Sequence, residues 1–285
     1  MPHIFVDGHV HIHPGFRLEV LLASALGNFQ ALAQEINAGQ SAGFLLLSES
    51  AGAEVFSSLK VRLKAGRPVT VPGFQLEESR EPETLLVRND SGQELYLVAG
   101  RQIVTAERLE VLALGYGASF PDGRPIEEVL SHLAAPASST EPAERSACRP
   151  LAVLPWGAGK WLGKRGKKVE QLVAEAPAHS IFLGDNANRP FFWPLPALFK
   201  QAQGRGIRNL PGSDPLPFPA QEKKVGSFGL RLAGAIEREA PFSSLAALLL
   251  DPATSLAPYG RCEQAYPFFK HQISMQLHKK SSPTA

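Results

Sequence analysis

Near its start the chain has a run in which apolar and polar residues alternate, Ile4-Phe5-Val6-Asp7-Gly8-His9-Val10-His11-Ile12-His13. Such alternation predicts a β-strand, and Pro14-Gly15 predicts the turn that ends it. Side chains two residues apart on a strand share a face, so the polar and apolar sets should face opposite sides. The polar set is Asp7, His9, His11 and His13, and the apolar set is Val6, Val10 and Ile12.

This spacing predicts a metal site, because two imidazoles at neighbouring positions of one face can bind a single ion. Imidazole is a common ligand of zinc, manganese and iron-type ions. We therefore expect His9 and His11 to be metal ligands. The alternative is a polar edge strand with surface histidines.

Composition indicates an ordinary globular chain. Its 285 residues are 44% hydrophobic and 20% charged, and the net charge of +2 gives no basis for nucleic-acid binding. No apolar run is long enough to span a bilayer, so we expect no membrane partner. Two distant cysteines and the lack of an N-terminal leader predict a cytoplasmic protein. Its oligomeric state is left open.

Strand and helix patterns predict an α/β fold. A strand, a helix at 18–40 and a strand at 44–47 predict a right-handed parallel unit. Apolar strands at 151–154, 180–183 and 207–210 each lead into a polar, glycine-rich loop. This layout is typical of a TIM-like (β/α) barrel, whose chemistry lies on the loops after the strands.

Other segments predict additions to a single barrel domain over residues 1–278. Short strands at about 60–115, with a turn at 89–92, predict an insertion of β-hairpins. The stretch 134–149, rich in Ala, Pro and Ser, predicts a flexible loop, and the polar residues 279–285 predict a disordered tail.

Three carboxylates are candidates for catalysis. Asp214 follows the strand at 207–210 and is either a metal ligand or the general base for a bound water. Asp185 follows the preceding strand and Glu110 begins a hairpin strand, and both are candidates for acid/base chemistry. The structural alternatives are a turn for each aspartate and an exposed position for Glu110.

Five further residues are candidates for binding an anionic substrate. Lys160 begins the basic stretch 160–168, which predicts either an anion clamp or a solvated helix start. Arg189 lies in the loop after the second of the three strands, and Trp156 lines either a pocket or the core. Arg101 and Gln102 reach the site only if the hairpins lie at its mouth.

Several motifs resemble the polymerase and histidinol phosphatase (PHP) family. The segment 7–11 resembles its D-x-H-x-H motif, and 98–102 with 109–115 is similar to its P-G-x-E … H-x-L-G region. The strand at 151–155 resembles one that ends in His and Pro, and Gly212-Ser213-Asp214 resembles the closing G-S-D-x-H motif. The resemblance spans about residues 4 to 220. It implies a distorted barrel that holds two or three metal ions and hydrolyses phosphate esters.

The chain departs from the family pattern at four ligand positions. Gln102 replaces a bridging glutamate, Glu110 a histidine and Leu216 the final histidine, while Trp156 occupies or adjoins another histidine position. The retained ligands are His9, His11 and Asp214. They predict one divalent ion, zinc, manganese or iron, because a catalytic ion is commonly held by three protein ligands and a water.

Two functions follow from these patterns. The first is a mononuclear metal-dependent hydrolase that acts on a phosphoester or another anionic small molecule. The second is a catalytically inactive barrel that serves as a binding or accessory protein.

Overall fold

The computed structural model describes residues 2–66, 69–135 and 148–281. The helices are α1 Leu18–Glu35, α2 Val55–Lys64, α3 Ile126–Ala134, α4 Lys164–Glu175, α5 Ala197–Gly204, α6 Pro241–Leu250 and α7 Ala265–Ser281, with a short 3-10 helix at Pro219–Lys224. The strands are β1 His3–Val10, β2 Ser41–Leu47, β3 Phe74–Glu78, β4 Thr84–Asn89, β5 Glu94–Val98, β6 Gly100–Val104, β7 Glu110–Leu114, β8 Leu151–Pro155, β9 Phe182–Gly184, β10 Arg208–Asn209, β11 Gly229–Ala233 and β12 Ala257–Tyr259.

These strands form two open sheets. The larger has seven strands in the order β12-β11-β1-β2-β5-β4-β3, and the smaller has five in the order β10-β9-β8-β7-β6. Strands β1, β2 and β5 run parallel, and so do β8, β9 and β10. The predicted parallel strand–helix–strand unit is confirmed, since α1 connects β1 to β2.

The predicted TIM-like barrel is wrong. A barrel needs a closed ladder of parallel strands separated by helices, but β11 is antiparallel to β1, and β6, β7 and β8 pair antiparallel. The two sheets are joined by isolated bonds. Glu49 and Arg101 form a single bridge, the Gly8 N–H donates to the carbonyl of Pro211, and the Asp214 N–H donates to that of His9.

The hairpins predicted at about 60–115 are present, since β3 and β4, β4 and β5, and β6 and β7 pair antiparallel, but they are parts of the two sheets and not additions to a closed barrel. Strands β3, β4 and β5 extend the larger sheet beyond β2, and β6 and β7 form one margin of the smaller sheet. The predicted turn between β4 and β5 is confirmed, with the Gly92 N–H donating to the Asn89 carbonyl.

Three clusters of buried apolar residues hold the helices and the two sheets together. One cluster packs α1 and α2 against the larger sheet, and another packs α3, α4 and α5 against the smaller sheet. The third contains residues of both sheets, such as Val6, Phe44 and Val153, together with Phe242 and Leu249 of α6. The sheets therefore share an apolar interior to which α6 contributes.

Parts of two predicted segments lie outside the described residues, namely 136–147 of the loop and 282–285 of the tail. Helix α7 extends to Ser281 and so includes the first residues of the predicted tail. Among the described residues, no helix combines the length and the apolar character that crossing a membrane requires.

Candidate metal centre

The three predicted metal ligands converge. Nε2 of His9 and Nε2 of His11 are 3.0 Å apart. Oδ1 of Asp214 lies 3.6 Å from the first nitrogen and 3.7 Å from the second. These three side chains form a potential metal-binding group, and both histidines are buried.

This donor set fits one divalent ion. Atoms at these separations can all lie about 2.1 Å from a single point, which matches Zn–N and Zn–O bond lengths. Two neutral imidazoles and one carboxylate suit zinc, manganese or iron and leave coordination positions for water or substrate.

A bulge in β1 brings the two imidazoles to the interior. In the pairing of β1 with β2, Asp7 faces Leu45 and Val10 faces Leu47, so β1 has one extra residue between them. Val6 consequently packs in the cluster shared by the two sheets, whereas Val10 packs in the cluster under α1. The expectation that the alternation continues through this strand is wrong, and Asp7 faces away from His9 and His11.

Asp7 instead stabilises the backbone around the site. Its carboxylate is fully buried and accepts backbone N–H groups from Ser213 at 2.7 Å, Gly226 at 2.8 Å and His9 at 3.3 Å. Burial raises its pKa to about 6, although these hydrogen bonds oppose the shift. The carboxylate thus ties β1 to the loop that carries Asp214.

The loop 211–217 holds Asp214 in a constrained backbone conformation. Its φ is +45°, a region that aspartate tolerates better than most residues. Its N–H donates to the carbonyl of His9 at 2.8 Å, and its carbonyl accepts the side-chain amide of Asn188 at 2.6 Å. The Asp214 carboxylate is therefore fixed beside the two imidazoles.

The three candidate ligands are in the protonation states that a metal requires. Burial lowers the pKa of His9, and burial together with the neighbouring His9 lowers that of His11 to about 3. Burial opposes ionisation of Asp214, but the interactions with His9 and His11, and then with Lys160 and Lys224, outweigh it and lower its pKa to about 2. At neutral pH the site therefore has two neutral imidazoles and one carboxylate.

Three predicted residues lie beside this cluster. The side chain of Gln102 is a hydrogen-bond partner of His9, and the charges of Glu110 and Lys160 act on the same imidazole. Nζ of Lys160 is 2.5 Å from Oε2 of Glu110. The charge of Lys160 also lowers the pKa of Asp214, so its ammonium group is one of the charges at the site.

Sequence reasoning missed a second lysine. Nζ of Lys224 is 2.5 Å from Oδ1 of Asn188 and 3.8 Å from Oε1 of Glu263, and its charge acts on Asp214. Burial lowers the pKa of this lysine. Only its position shortly after Asp214 in the sequence, within a basic 3-10 helix, could have pointed to it.

Asp185 and Arg189 bind each other. The guanidinium donates from Nε to Oδ1 at 2.8 Å and from Nη2 to Oδ2 at 2.9 Å, so both carboxylate oxygens are occupied. Arg189 also donates to the carbonyl of Trp193 at 2.6 Å. These contacts fit the structural alternative, in which Asp185 shapes its loop.

Arg101 and Trp156 are also held by contacts within the fold. Arg101 donates to the carbonyl of Ala53 at 2.6 Å and to Glu54 at 3.2 Å, and it lies 3.5 Å from Glu49. Trp156 is buried in the cluster under α3, α4 and α5, which is the core alternative for this residue.

No protein-family model matches the sequence, and no curated protein matches it significantly. The resemblance to the PHP family therefore stays a prediction. Among solved structures, the crystal structure of PsfC from Pseudomonas syringae PB-5123 is similar over 99% of both chains, with 13% sequence identity and a TM-score of 0.52. At this identity the similarity concerns the fold alone.

Proposed function

We propose that the chain is a mononuclear metal-dependent hydrolase that acts on a phosphoester or another anionic small molecule. The observation that carries the proposal is the convergence of His9, His11 and Asp214 within 4.8 Å of one another.

The ligand role is the one that the Asp214 contacts favour. Its Oδ1 is nearly equidistant from the two imidazole nitrogens, as expected of a third ligand. An ion bound there would lower the pKa of a bound water and so supply a hydroxide-like nucleophile near neutral pH. His9, His11 and Asp214 bind without losing a proton at neutral pH.

Glu110 is the remaining candidate for the general base. Its carboxylate is close enough to His9 to act on the pKa of the imidazole, and it is largely shielded from solvent. In this role Glu110 takes a proton from the attacking water while the water oxygen bonds to phosphorus and the ester oxygen leaves. Gln102 helps to orient the imidazole of His9.

Two lysines supply charge for an anionic substrate. Lys160 and Lys224 both act on Asp214, and each has its own carboxylate partner, Glu110 or Glu263. Ammonium groups beside a metal site can stabilise the charge of a phosphoryl or carboxylate group. Arg189 is less suited to this role because Asp185 already binds it at two points.

The second candidate is a binding or accessory protein in which the site has no catalytic activity. The departures at Gln102, Glu110, Trp156 and Leu216 from the ligands of the resembling family favour it. Under this alternative the protein could bind an ion but would not turn over an ester.

Hydrolysis of p-nitrophenyl phosphate distinguishes the two functions. We expect the protein to release p-nitrophenol after chelation and addition of Zn²⁺, Mn²⁺ or Fe²⁺, and the His9→Ala/His11→Ala variant to release none. His3→Ala is the matched control, since His3 lies on the same strand outside the ligand group.

A metal-loaded protein that hydrolyses neither this ester nor p-nitrophenyl acetate would favour the accessory function. Equal activity in the double variant and the wild type would place the chemistry elsewhere and contradict the proposed site.

A further inference from the structure

Exposed apolar side chains are concentrated on one face of the molecule. Among the described residues, eight of the ten exposed large apolar side chains lie within 191–195 and on α7. The two segments are in contact, since the ring of Phe192 stacks on that of Phe269 with centroids 6.2 Å apart. We call this continuous surface the aromatic face.

Helix α7 is apolar on two opposite sides. Phe268 is buried against the rings of Phe192 and Trp193, so the inner side packs on the body of the protein. The outer side carries a stripe of exposed residues at helical spacing, namely Tyr266, Phe269, Ile273 and Leu277. A helix that is apolar on both sides is typical of one that is buried on both sides.

The aromatic face is large enough for a stable protein interface. Its eight side chains expose between 40% and 78% of their surface. At ~200 Å² for each large side chain, they present roughly 900 Å² of surface. A standard interface buries ~800 Å² on each partner, and isolated apolar patches on monomers are usually smaller than this face.

The stripe is complementary to itself under a two-fold axis. Phe269 and Leu277 are each four residues from Ile273. When two such helices cross antiparallel at Ile273, Phe269 of one copy meets Leu277 of the other and the two Ile273 side chains meet. Rows of residues spaced by four are those used in the commonest class of helix packing.

The helix macrodipole favours the antiparallel arrangement as well. Parallel helices would bring like ends of their dipoles together, whereas antiparallel helices place the positive end of one beside the negative end of the other.

We propose that two copies of this chain form a symmetric dimer through the aromatic face, with antiparallel α7 helices that cross at Ile273. Two-fold dimers are the commonest form of soluble oligomer, and their interfaces use the same patch on both copies. The wild-type chain is a dimer at micromolar concentration.

Light scattering coupled to size-exclusion chromatography tests the proposal on the full chain. We expect twice the chain mass for the wild type and a single chain mass for Ile273→Asp, with an unchanged circular dichroism spectrum. Val61→Asp is the matched control, because Val61 is 66% exposed on α2, outside the aromatic face, and this variant should remain a dimer. A monomeric wild type or a dimeric Ile273→Asp variant would overturn the proposal.

Crosslinking tests the position of the axis. In a Cys148→Ser/Cys262→Ser background, which removes both free cysteines, Ile273→Cys should form a disulfide between copies on oxidation. Val61→Cys should not crosslink. Absence of the Ile273→Cys crosslink would contradict the two-fold axis at this residue.

Vesicles provide a further outcome. A wild-type monomer that floats with phosphatidylglycerol vesicles would overturn self-association and assign the aromatic face to an anionic lipid surface.

Discussion

Two loops that follow neighbouring parallel strands each contain an aspartate but use it differently. In the loop after β9, both oxygens of Asp185 accept hydrogen bonds from Arg189, four residues later. In the loop after β10, the carboxylate of Asp214 faces the imidazoles of His9 and His11. In the first loop the carboxylate is paired with an arginine of the same loop. In the second loop the carboxylate lies beside the imidazoles of another segment.

The difference teaches that position after a strand is not sufficient to identify a site residue. What distinguishes the loops is the local partner, because Arg189 neutralises Asp185 within its own loop. The cationic groups near Asp214 come from other segments, namely Lys160 before α4 and Lys224 in the 3-10 helix.

The largest effects should come from removing each carboxylate in turn. Asp214→Ala should lower metal affinity by more than ~100-fold, since loss of a ligand exceeds the cost of losing an outer partner. Asp185→Ala should leave the metal affinity unchanged. It should lower the free energy of unfolding by about 3 kcal/mol, because it removes the carboxylate that pairs with the largely buried Arg189 guanidinium. Isothermal titration with Zn²⁺ and urea denaturation measure the two quantities.

The two variants are controls for each other, because each should change a different quantity. If Asp185→Ala lowered metal affinity as strongly as Asp214→Ala, the two loops would share one function and the comparison would be wrong.

A smaller effect should follow from crowding the loop of Asp214. A Cβ at Gly212 would lie 2.1 Å from the backbone nitrogen of His9 and 2.5 Å from its Cβ. Gly212→Ala should therefore separate the loop from β1, lower the free energy of unfolding by about 2 kcal/mol and weaken metal binding.

The matched substitution is Gly204→Ala at the end of α5, where a Cβ would have nothing within 4 Å. It should be neutral or stabilising by up to ~1 kcal/mol. Equal effects of the two substitutions in thermal denaturation would show that the contact of Gly212 with β1 is unimportant.

Asp7 should give the metal-free protein a pH-dependent stability. Burial raises its folded-state pKa to about 6 from 3.8, so the folded state holds this proton more tightly than the unfolded state does. Its contribution is therefore most favourable below pH 3.8 and is lost as the pH rises through 6. The loss is on the order of 3 kcal/mol at most.

Asp7→Asn removes this titration. The free energy of unfolding of the wild type should fall relative to that of the variant between about pH 4 and pH 6. Denaturation of both chains in urea at several pH values measures the difference. A pH-independent difference would contradict the burial of an ionisable carboxyl at this position.

The smallest effect concerns substrate charge. Lys160→Met should raise the KM for p-nitrophenyl phosphate about tenfold, or ~1.4 kcal/mol, without changing metal content. Lys168→Met is the control on the same basic stretch, because Lys168 pairs with Glu127 instead of lying at the site. Steady-state kinetics of both variants in parallel would refute this role of Lys160 if the two KM values agreed.

Local patterns predicted α1 and the apolar strands β1, β2 and β8 well, because apolar periodicity determines which face of each segment is buried. They did not predict the helix α7. The helix at 18–40, for example, corresponds to α1 at Leu18–Glu35. The order and direction in which strands pair into sheets depend on contacts between residues far apart in the sequence, which no local pattern contains. The antiparallel pairings of β1 with β11 and of β7 with β8 could not be read from the sequence, and the barrel expectation was wrong for that reason.

His9 and His11 were predicted from residue types and spacing, whereas Asp214 as the third ligand was implied by the resemblance to the PHP family. The structure brings the three side chains together. The correct geometry nevertheless depends on a bulge that the sequence did not reveal. Without the extra residue before Val10, Asp7 would share the face of His9 and His11. Lys224 was missed because it approaches the site from a segment with no motif of its own.

Metal content of the purified protein tests the central claim most directly. Elemental mass spectrometry should find about one equivalent of zinc, manganese or iron per chain in the wild type and in His3→Ala. The His9→Ala/His11→Ala variant should contain none. No metal in the wild type, even after reconstitution, or equal metal in the double variant, would contradict a metal centre at His9, His11 and Asp214.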